Sequence, residues 1–547
     1  MAVALRGWGW CLSLCFLTCL VAGTAFADLD YQVEDYLAPV ATTKIGLLRA
    51  PQEPYFGRHG PLSEEEMNMA RTAWKYMENN FQPTTGLVNA VNAYPSTTMW
   101  DTASYLGGMV AARELGIIDK STFDQRMIPL LKTFNELDLF KGELPNKAYN
   151  TENGSKVNYA NQPGEIGYSA LDLGRLLIWF HIIKNRYPEH GNAIDSSIMR
   201  WNFCNVVDET GTMYGAVVTP EQTVQLVQEG RLGYEEYAAK GFNLWGFDTA
   251  RASLAKPYSL IPIFDVDVPY DTRDPRRLKA HNYVVSESYV LDGLEFNWDL
   301  PHDGVSGQLE HTDPVQSDFA QRIYAVQVRR FEETGILTAR TEHQLAGEPY
   351  FVYDTIYTDG YAWNTITETG KYVPQFAAIA LKGALGMWAL WNSAYTDLLF
   401  NAISGLFDPD KGFYEGRFEN GLGVIDTFTA NNNGIMLESL LYKAQGKLYR
   451  QSGQLGLWEN SIRDEFSGKE RCMPQHRKQC KCCNGGCSTP KFQPPAQVNR
   501  MPETKHRFLG SRCGLDYTSE NPNSTTLAEH ERYLGANCRY DDVASDR

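Results

Sequence analysis

Trp100-Asp101-Thr102-Ala103-Ser104 is the first of three stretches in which an apolar residue and an acid stand just ahead of small residues that open a helix. The arrangement returns at Trp245-Gly246-Phe247-Asp248-Thr249-Ala250 and at Ile425-Asp426-Thr427-Phe428-Thr429-Ala430. Taken singly, an acid at a helix start is a cap that opposes the helix dipole. Taken together, helical hairpins that each present an acid and a nearby aromatic from the helix start would, if closed into a ring, converge those groups on one pocket. That architecture is an (α/α) barrel.

Outward from these stretches, apolar residues recur at spacings of three and four. The spacing predicts helices over 62–80, 99–115, 122–137, 169–184, 235–244, 318–335, 373–402 and 433–445, with little strand. Segments 186–234 and 257–317 read as long irregular loops, and loops of that length usually carry function. Residues 1–27 hold one charge, Arg6, then an apolar run from Trp8 to Ala22 and Ala25-Phe26-Ala27, the form of a cleaved export signal. The expected organisation is therefore a leader over 1–27, an all-α barrel over 28–450 and a tail over 451–547. The tail contains seven cysteines between Cys472 and Cys538, and 14 Lys plus Arg against 12 Asp plus Glu. Such close spacing in an exported chain suits a small disulfide-stapled appendage, with zinc as the alternative. It is also a candidate docking element for an envelope protein. No segment after the leader is apolar enough to span a bilayer, which takes roughly 20 such residues.

The whole chain of 547 residues carries a formal charge of -16. That balance argues against a nucleic-acid partner, which calls for a clustered basic surface. Aromatic residues make up 12% of the chain; a core can absorb them, and sugar-binding clefts also use them. The sequence lacks a phosphate-binding loop, a dinucleotide glycine fingerprint, a Gly-x-Ser-x-Gly elbow and a His-Glu-x-x-His zinc motif. No cofactor and no metal are expected, and the expected location is the periplasm or the exterior.

Two carboxyls in one aromatic cleft are the minimum for cleaving a glycosidic bond: one protonates the leaving oxygen, the other activates water or attacks. The first candidate is Glu236, in Tyr234-Glu235-Glu236-Tyr237, where an acidic pair opens an apolar helix. The second is Asp426, after the glycine-rich Gly421-Leu422-Gly423 and before Asn431-Asn432-Asn433. Both could equally be plain helix-start acids. Candidate sugar contacts are Trp100, Asp101, Glu165, Asp172, Arg175, Tyr234, Trp245, Asp248, Trp363, Tyr414, Glu415 and Arg417. For Asp172 and Arg175 the alternative is an internal ion pair.

With Arg329-Arg330-Phe331-Glu332-Glu333-Thr334-Gly335 and Pro349-Tyr350-Phe351-Val352-Tyr353, the chain resembles a secreted bacterial family known only as domain of unknown function 3131, over roughly residues 60–448. More distantly, Ser169-Ala170-Leu171-Asp172, Tyr234-Glu235-Glu236-Tyr237 and Ile425-Asp426 are similar to motifs of the glucoamylase-like (α/α)6 barrels, which include β-1,2-glucanases. The resemblance implies Glu236 as general acid and Asp426 as base through water, with inversion at the sugar. Glu235 departs from the amide or aspartate usual there, and Thr427-Phe428 from Gln-Gly. The expected activity is an exported glycoside hydrolase acting on a β-glucan or related envelope polysaccharide. The alternative is a non-catalytic polysaccharide-binding or assembly protein.

Overall fold

The computed structural model describes residues 57–451, except 230–231, 256, 276–280, 302 and 304–310, together with 456–462. The expected leader and cysteine-rich tail lie outside the described residues. Helices run in the order α1 (Glu64–Asn79), α2 (Met99–Glu114), α3 (Lys120–Glu136), α4 (Ala170–Arg186), α5 (Gly191–Ile198), α6 (Tyr234–Leu244), α7 (Glu287–Phe296), α8 (Pro314–Thr334), α9 (Leu381–Leu390), α10 (Ala394–Ile403), α11 (Ala430–Gln445) and α12 (Leu457–Ile462).

Six of these close a ring. Helix α2 packs on α4, α4 on α6, α6 on α7, α7 on α9, α9 on α11, and α11 returns to α2. Every residue of α7 and of α9 is buried, as expected of helices surrounded by others. The outer helices are instead amphipathic: α1 buries Met69, Ala70, Ala73, Trp74 and Met77, while Glu64 and Glu65 face water. Each outer helix α1, α3, α5, α8 and α10 precedes or follows an inner one and returns the chain to the same end of the ring. Among the described residues no helix stands between α6 and α7; there the chain forms a hairpin, Tyr258–Ile263 with Val266–Asp271, packed on α8.

Small residues set the spacing within the ring. A Cβ on Gly174 of α4 would lie 2.5 Å from the Ala238 carbonyl oxygen of α6, and one on Gly241 would lie 2.0 Å from the Gly174 carbonyl oxygen. Gly434 of α11 meets the Ser104 carbonyl of α2 in the same manner. Short polar side chains start the inner helices: Thr98 accepts from the Asp101 amide, Ser169 from that of Asp172, and Thr429 from that of Asn432.

The structure departs from the sequence expectation in four places. The expected helix over 373–402 is a strand and two helices, because Ala378–Ala380 pairs with Gly416–Phe418 and Ser393 caps a fresh start at α10. Helices α5 and α7 lie inside the two segments read as loop. The long connections, read as irregular, fold into antiparallel sheets of two or three short strands. Finally, Trp245-Gly246-Phe247-Asp248 follows α6, with Trp245 as its C-cap, and opens no helix.

Candidate active site

The inner helices begin at one mouth of the ring, and their first turns meet there. At the centre is Glu287, at the start of α7 and 1% exposed. Its Oε1 accepts from Trp100 Nε1 (3.1 Å) and Asn431 Nδ2 (2.9 Å). Its Oε2 pairs with Lys382 Nζ at 2.5 Å and accepts from Thr341 Oγ1 at 3.3 Å. Thus residues from α2, α9 and α11, with Thr341, fasten one carboxylate of α7. Burial alone would raise its pKa, but Lys382, Asn431 and Arg175 outweigh it and hold Glu287 below the ordinary range.

Arg175 lies one layer deeper, fully buried under the Trp100 ring at 4.8 Å. It donates to Asn431 Oδ1 (3.0 Å) and Ser104 Oγ (2.8 Å) and pairs with Glu438 at 3.0 Å. The alternative of an Asp172–Arg175 ion pair does not form: one turn apart on α4, Asp172 bonds to Ser169 while Arg175 pairs with Glu438 in the interior. Arg175, an expected sugar contact, is sealed from solvent and instead positions Asn431 and Trp100.

Asp101 and Asp172 are both half-buried and reached by solvent. The surrounding protein nevertheless desolvates them. Burial raises Asp101 from its ordinary value, opposed by the Thr98 hydroxyl and by Lys382 and Arg175. Burial and then the neighbouring Glu229 raise Asp172 to about 7, and Asp101 adds to the effect. A carboxyl that water touches but that protein largely encloses sits in a concavity. Ser169 donates to Asp172 Oδ1 at 2.9 Å, and Thr98 to Asp101 Oδ2 at 2.7 Å. Aromatic rings line one wall: Trp100 lies 5.5 Å from Tyr234, Tyr234 5.9 Å from Tyr283, and Tyr283 stacks on Tyr353 at 4.5 Å. The Tyr234 hydroxyl donates to Glu342 at 3.1 Å.

Glu236 is 5% exposed, and its Oε2 accepts from the Gly233 amide at 2.6 Å, capping its own helix. Burial, then Glu235, raises it to about 8. Glu235 is held to about 7, burial outweighing Arg273 and the bond from Gln228. Asp426 is exposed on the loop that enters α11 and makes no hydrogen bond among the described residues. Glu415 is buried near Lys382, accepting from Thr429 Oγ1 and from the Gln344 amide. Tyr414 is half-buried, with its ring 4.6 Å from Phe428, and Arg417 is exposed on the adjoining strand.

Four further expected sugar contacts are corrected. Trp245 is 2% exposed at the far end of the ring, its Nε1 donating to Leu177 O and its ring packed edge-on against Trp458. Asp248 lies at that same end, where its carboxylate accepts from the Ala250 amide. The face of Trp363 is taken by the Arg330 guanidinium at 4.6 Å. Glu165 fastens a loop through Lys156 and Lys141, whose hydrogen bonds pull it down to about 2.

Glu287, Lys382 and Thr341 were not singled out from sequence; Asn431 was noted only as an amide near Asp426. The signal for Glu287 lay in Val290, Leu291 and Leu294, at helical spacing inside a stretch whose three acids disguised it as loop. Among the described residues, the one group spaced to hold a metal is Asp124, Glu189 and His190. It is remote from the mouth, and Lys120 already pairs with Asp124 (2.7 Å) and Glu189 (3.2 Å). No helix among the described residues is long and apolar enough to cross a membrane.

A family model described as a protein of unknown function, DUF3131, matches residues 68–446. No curated protein is a detectable sequence relative of the chain. Among solved structures, a glucoamylase candidate from Bacteroides fragilis superposes with a TM-score of 0.50 at 12% identity, over 71% of this chain and 94% of its own. A second glucoamylase candidate, from Bacteroides caccae, gives 0.50 at 12% identity over 70% and 94%. An endo-β-1,2-glucanase from Chitinophaga pinensis gives 0.49 at 12% identity over 71% and 94%. The two Bacteroides structures share the fold of this chain, a glucoamylase-like helical barrel.

Proposed function

The chain belongs to the DUF3131 family, whose description names no activity, and from that premise we propose that it is an exported glycoside hydrolase acting on a β-glucan or related envelope polysaccharide. One observation carries this reading. Two solvent-reached carboxyls, Asp172 and Asp101, share the mouth of the ring, both raised by burial but with different charged neighbours. Asp172 has Glu229 for a neighbour and keeps a proton up to about pH 7. Asp101 is raised by burial and by Glu287, but the Thr98 hydroxyl, Lys382 and Arg175 oppose that rise and favour its ionised form. Environments that push two carboxyls apart assign acid and base. Asp172 donates its proton to the glycosidic oxygen as the C–O bond breaks. Asp101 takes a proton from the water whose oxygen bonds to the anomeric carbon, and the sugar is released with inversion. The Trp100 ring supplies the apolar face for a pyranose, held in place by Glu287 and Arg175.

A second reading keeps Glu236 as acid and Asp426 as base. It is favoured by the high pKa of Glu236, about 8, which keeps the group protonated at neutral pH. The test is product release from β-1,2, β-1,3, β-1,4, β-1,6 and α-linked glucans by wild type, Asp172→Asn, Asp101→Asn, Glu236→Gln and Asp426→Asn. Loss in the first two variants with the others active supports the assignment. Loss confined to Glu236→Gln and Asp426→Asn moves the chemistry to the second pair. Glycan binding without release from any polymer would make the chain a binding protein and overturn the hydrolase reading.

A further inference from the structure

Glu229 stands beside the start of α4 because a three-stranded antiparallel sheet brings it there. Gly167–Tyr168, which runs straight into the cap residue Ser169, pairs with Gly215–Val218, and that strand pairs with Val224–Val227, which ends two residues before Glu229. A Cβ on Gly215 would lie 2.4 Å from the Glu229 carboxyl, so the bare backbone there is what leaves it room. Glu229 Oε2 accepts from the Ala170 amide at 2.7 Å and from the Leu171 amide at 3.4 Å, and Lys147 Nζ is 3.9 Å from Oε1. First-turn amides and a cation are partners suited to a carboxylate. Ser169 Oγ lies between this carboxylate and that of Asp172, 3.2 Å from Glu229 Oε2 and 2.9 Å from Asp172 Oδ1. It already accepts from the Asp172 amide, and a serine hydroxyl has one proton to give. Two acceptors therefore compete for one donor. If Asp172 is ionised, it takes the Ser169 proton and leaves Glu229 with the two amides. If Asp172 is protonated, its own O–H donates to Ser169 Oγ, Ser169 donates to Glu229, and all three groups are satisfied at once.

We propose that Glu229 is a positioning residue for Asp172: by competing for the Ser169 hydroxyl and setting a like charge beside it, Glu229 keeps the Asp172 carboxyl in its acid form, ready to donate. This deepens the hydrolase reading and rests on Asp172 as its proton donor. No proton passes between the two carboxyls. When Asp172 gives its proton to the glycosidic oxygen, the Ser169 hydrogen turns from Glu229 to the new anion, and a proton taken from solvent restores the first arrangement. The groups facing Asp172 act in both directions. Burial is the largest upward pull and Glu229 on the sheet side the next; Ser169 and Lys147, which precedes strand Ala148–Asn150, pull down, and Asp101 of α2 pulls up. The Tyr159 hydroxyl, pushed upward by burial and then by Asp172, stays neutral and adds no charge.

The experiment follows the descending pH limb of glucan release in Glu229→Gln, Ser169→Ala and Lys147→Gln. Glu229→Gln removes the like charge and should move the limb to lower pH by about half a unit to one unit, which is a loss of about three- to tenfold at pH 8. Ser169→Ala removes the donor that serves the anion and Lys147→Gln the cation, so both should move the limb to higher pH. A role confined to holding α4 in place would lower release in all three without moving the limb. Urea unfolding reads the same proton without substrate. The stability that depends on it is complete below the ordinary carboxylate range and is lost as pH rises through about 7. The part of the loss between pH 5 and pH 8 that Asp172→Asn abolishes should be smaller in the Glu229→Gln background and larger in the Ser169→Ala background. The proposal is overturned if the limb of Glu229→Gln stays at the wild-type pH or moves up, or if Ser169→Ala or Lys147→Gln moves it down. If the wild type releases no glucan, the hydrolase reading fails and unfolding decides alone: an Asp172-dependent loss equal in every background overturns the role of Glu229, and the expected differences leave it standing.

Discussion

Replacing Glu236 by Gln separates two roles that the sequence assigned to one residue. In the folded protein the carboxyl is buried and accepts the Gly233 amide, and burial and then Glu235 push its pKa up to about 8 from an ordinary 4.5. The native state therefore holds a proton that the unfolded chain releases. Its stabilising contribution is complete below about pH 4.5 and is lost as pH rises through about 8. At about 1.36 kcal/mol per pH unit the shift bounds that loss at ~5 kcal/mol; rearrangement of the surroundings, and a lower pKa for Glu235 once its neighbour is neutral, make ~2 kcal/mol the working figure. Gln keeps an oxygen for the Gly233 amide and cannot ionise. Urea unfolding at pH 5 and pH 8 should show wild-type stability falling by about 2 kcal/mol more than that of Glu236→Gln over the interval. Parallel stability curves for the two proteins would refute the picture of a buried, proton-holding cap.

Asp172 predicts a descending pH limb: glucan release per enzyme should fall about tenfold per unit above pH 7, as its proton is lost, and a flat profile to pH 9 would exclude it as the donor. Lys382→Met strips the cation from buried Glu287 and should cost ~3–5 kcal/mol in chemical unfolding, most of it recovered when Glu287→Gln is added. Gly174→Ala drives a methyl group against the Ala238 carbonyl between α4 and α6, and a loss of about 1–3 kcal/mol is expected from thermal unfolding. Asp248→Ala, at the far end of the ring, should leave glycan binding unchanged; a tenfold loss would contradict its placement.

The helical texture, the apolar faces of α1, α2, α4 and α11, and two of the three acid-bearing stretches at the mouth were legible because periodicity and capping are local. Thr98, Ser169 and Thr429 stand where a cap must stand, and Asp101 and Asp172 sit three residues after the first two. Closure of the ring was not local. It depends on Gly174 meeting Gly241 and Gly434 meeting Ser104, contacts between residues far apart in the chain. Direction was likewise invisible: Trp245 and Tyr234 share one helix, yet one end faces the mouth and the other the opposite floor. Helix α7 escaped notice because a helix buried on all sides needs no polar stripe, and its acids Glu287, Asp292 and Glu295 find their partners on other helices. Sequence alone determined that this chain would build helices whose starts carry acids and aromatics. Only the tertiary structure decided which of those acids are solvated at the mouth and which are sealed by burial, because desolvation and the pairing that offsets it depend on neighbours the sequence keeps apart.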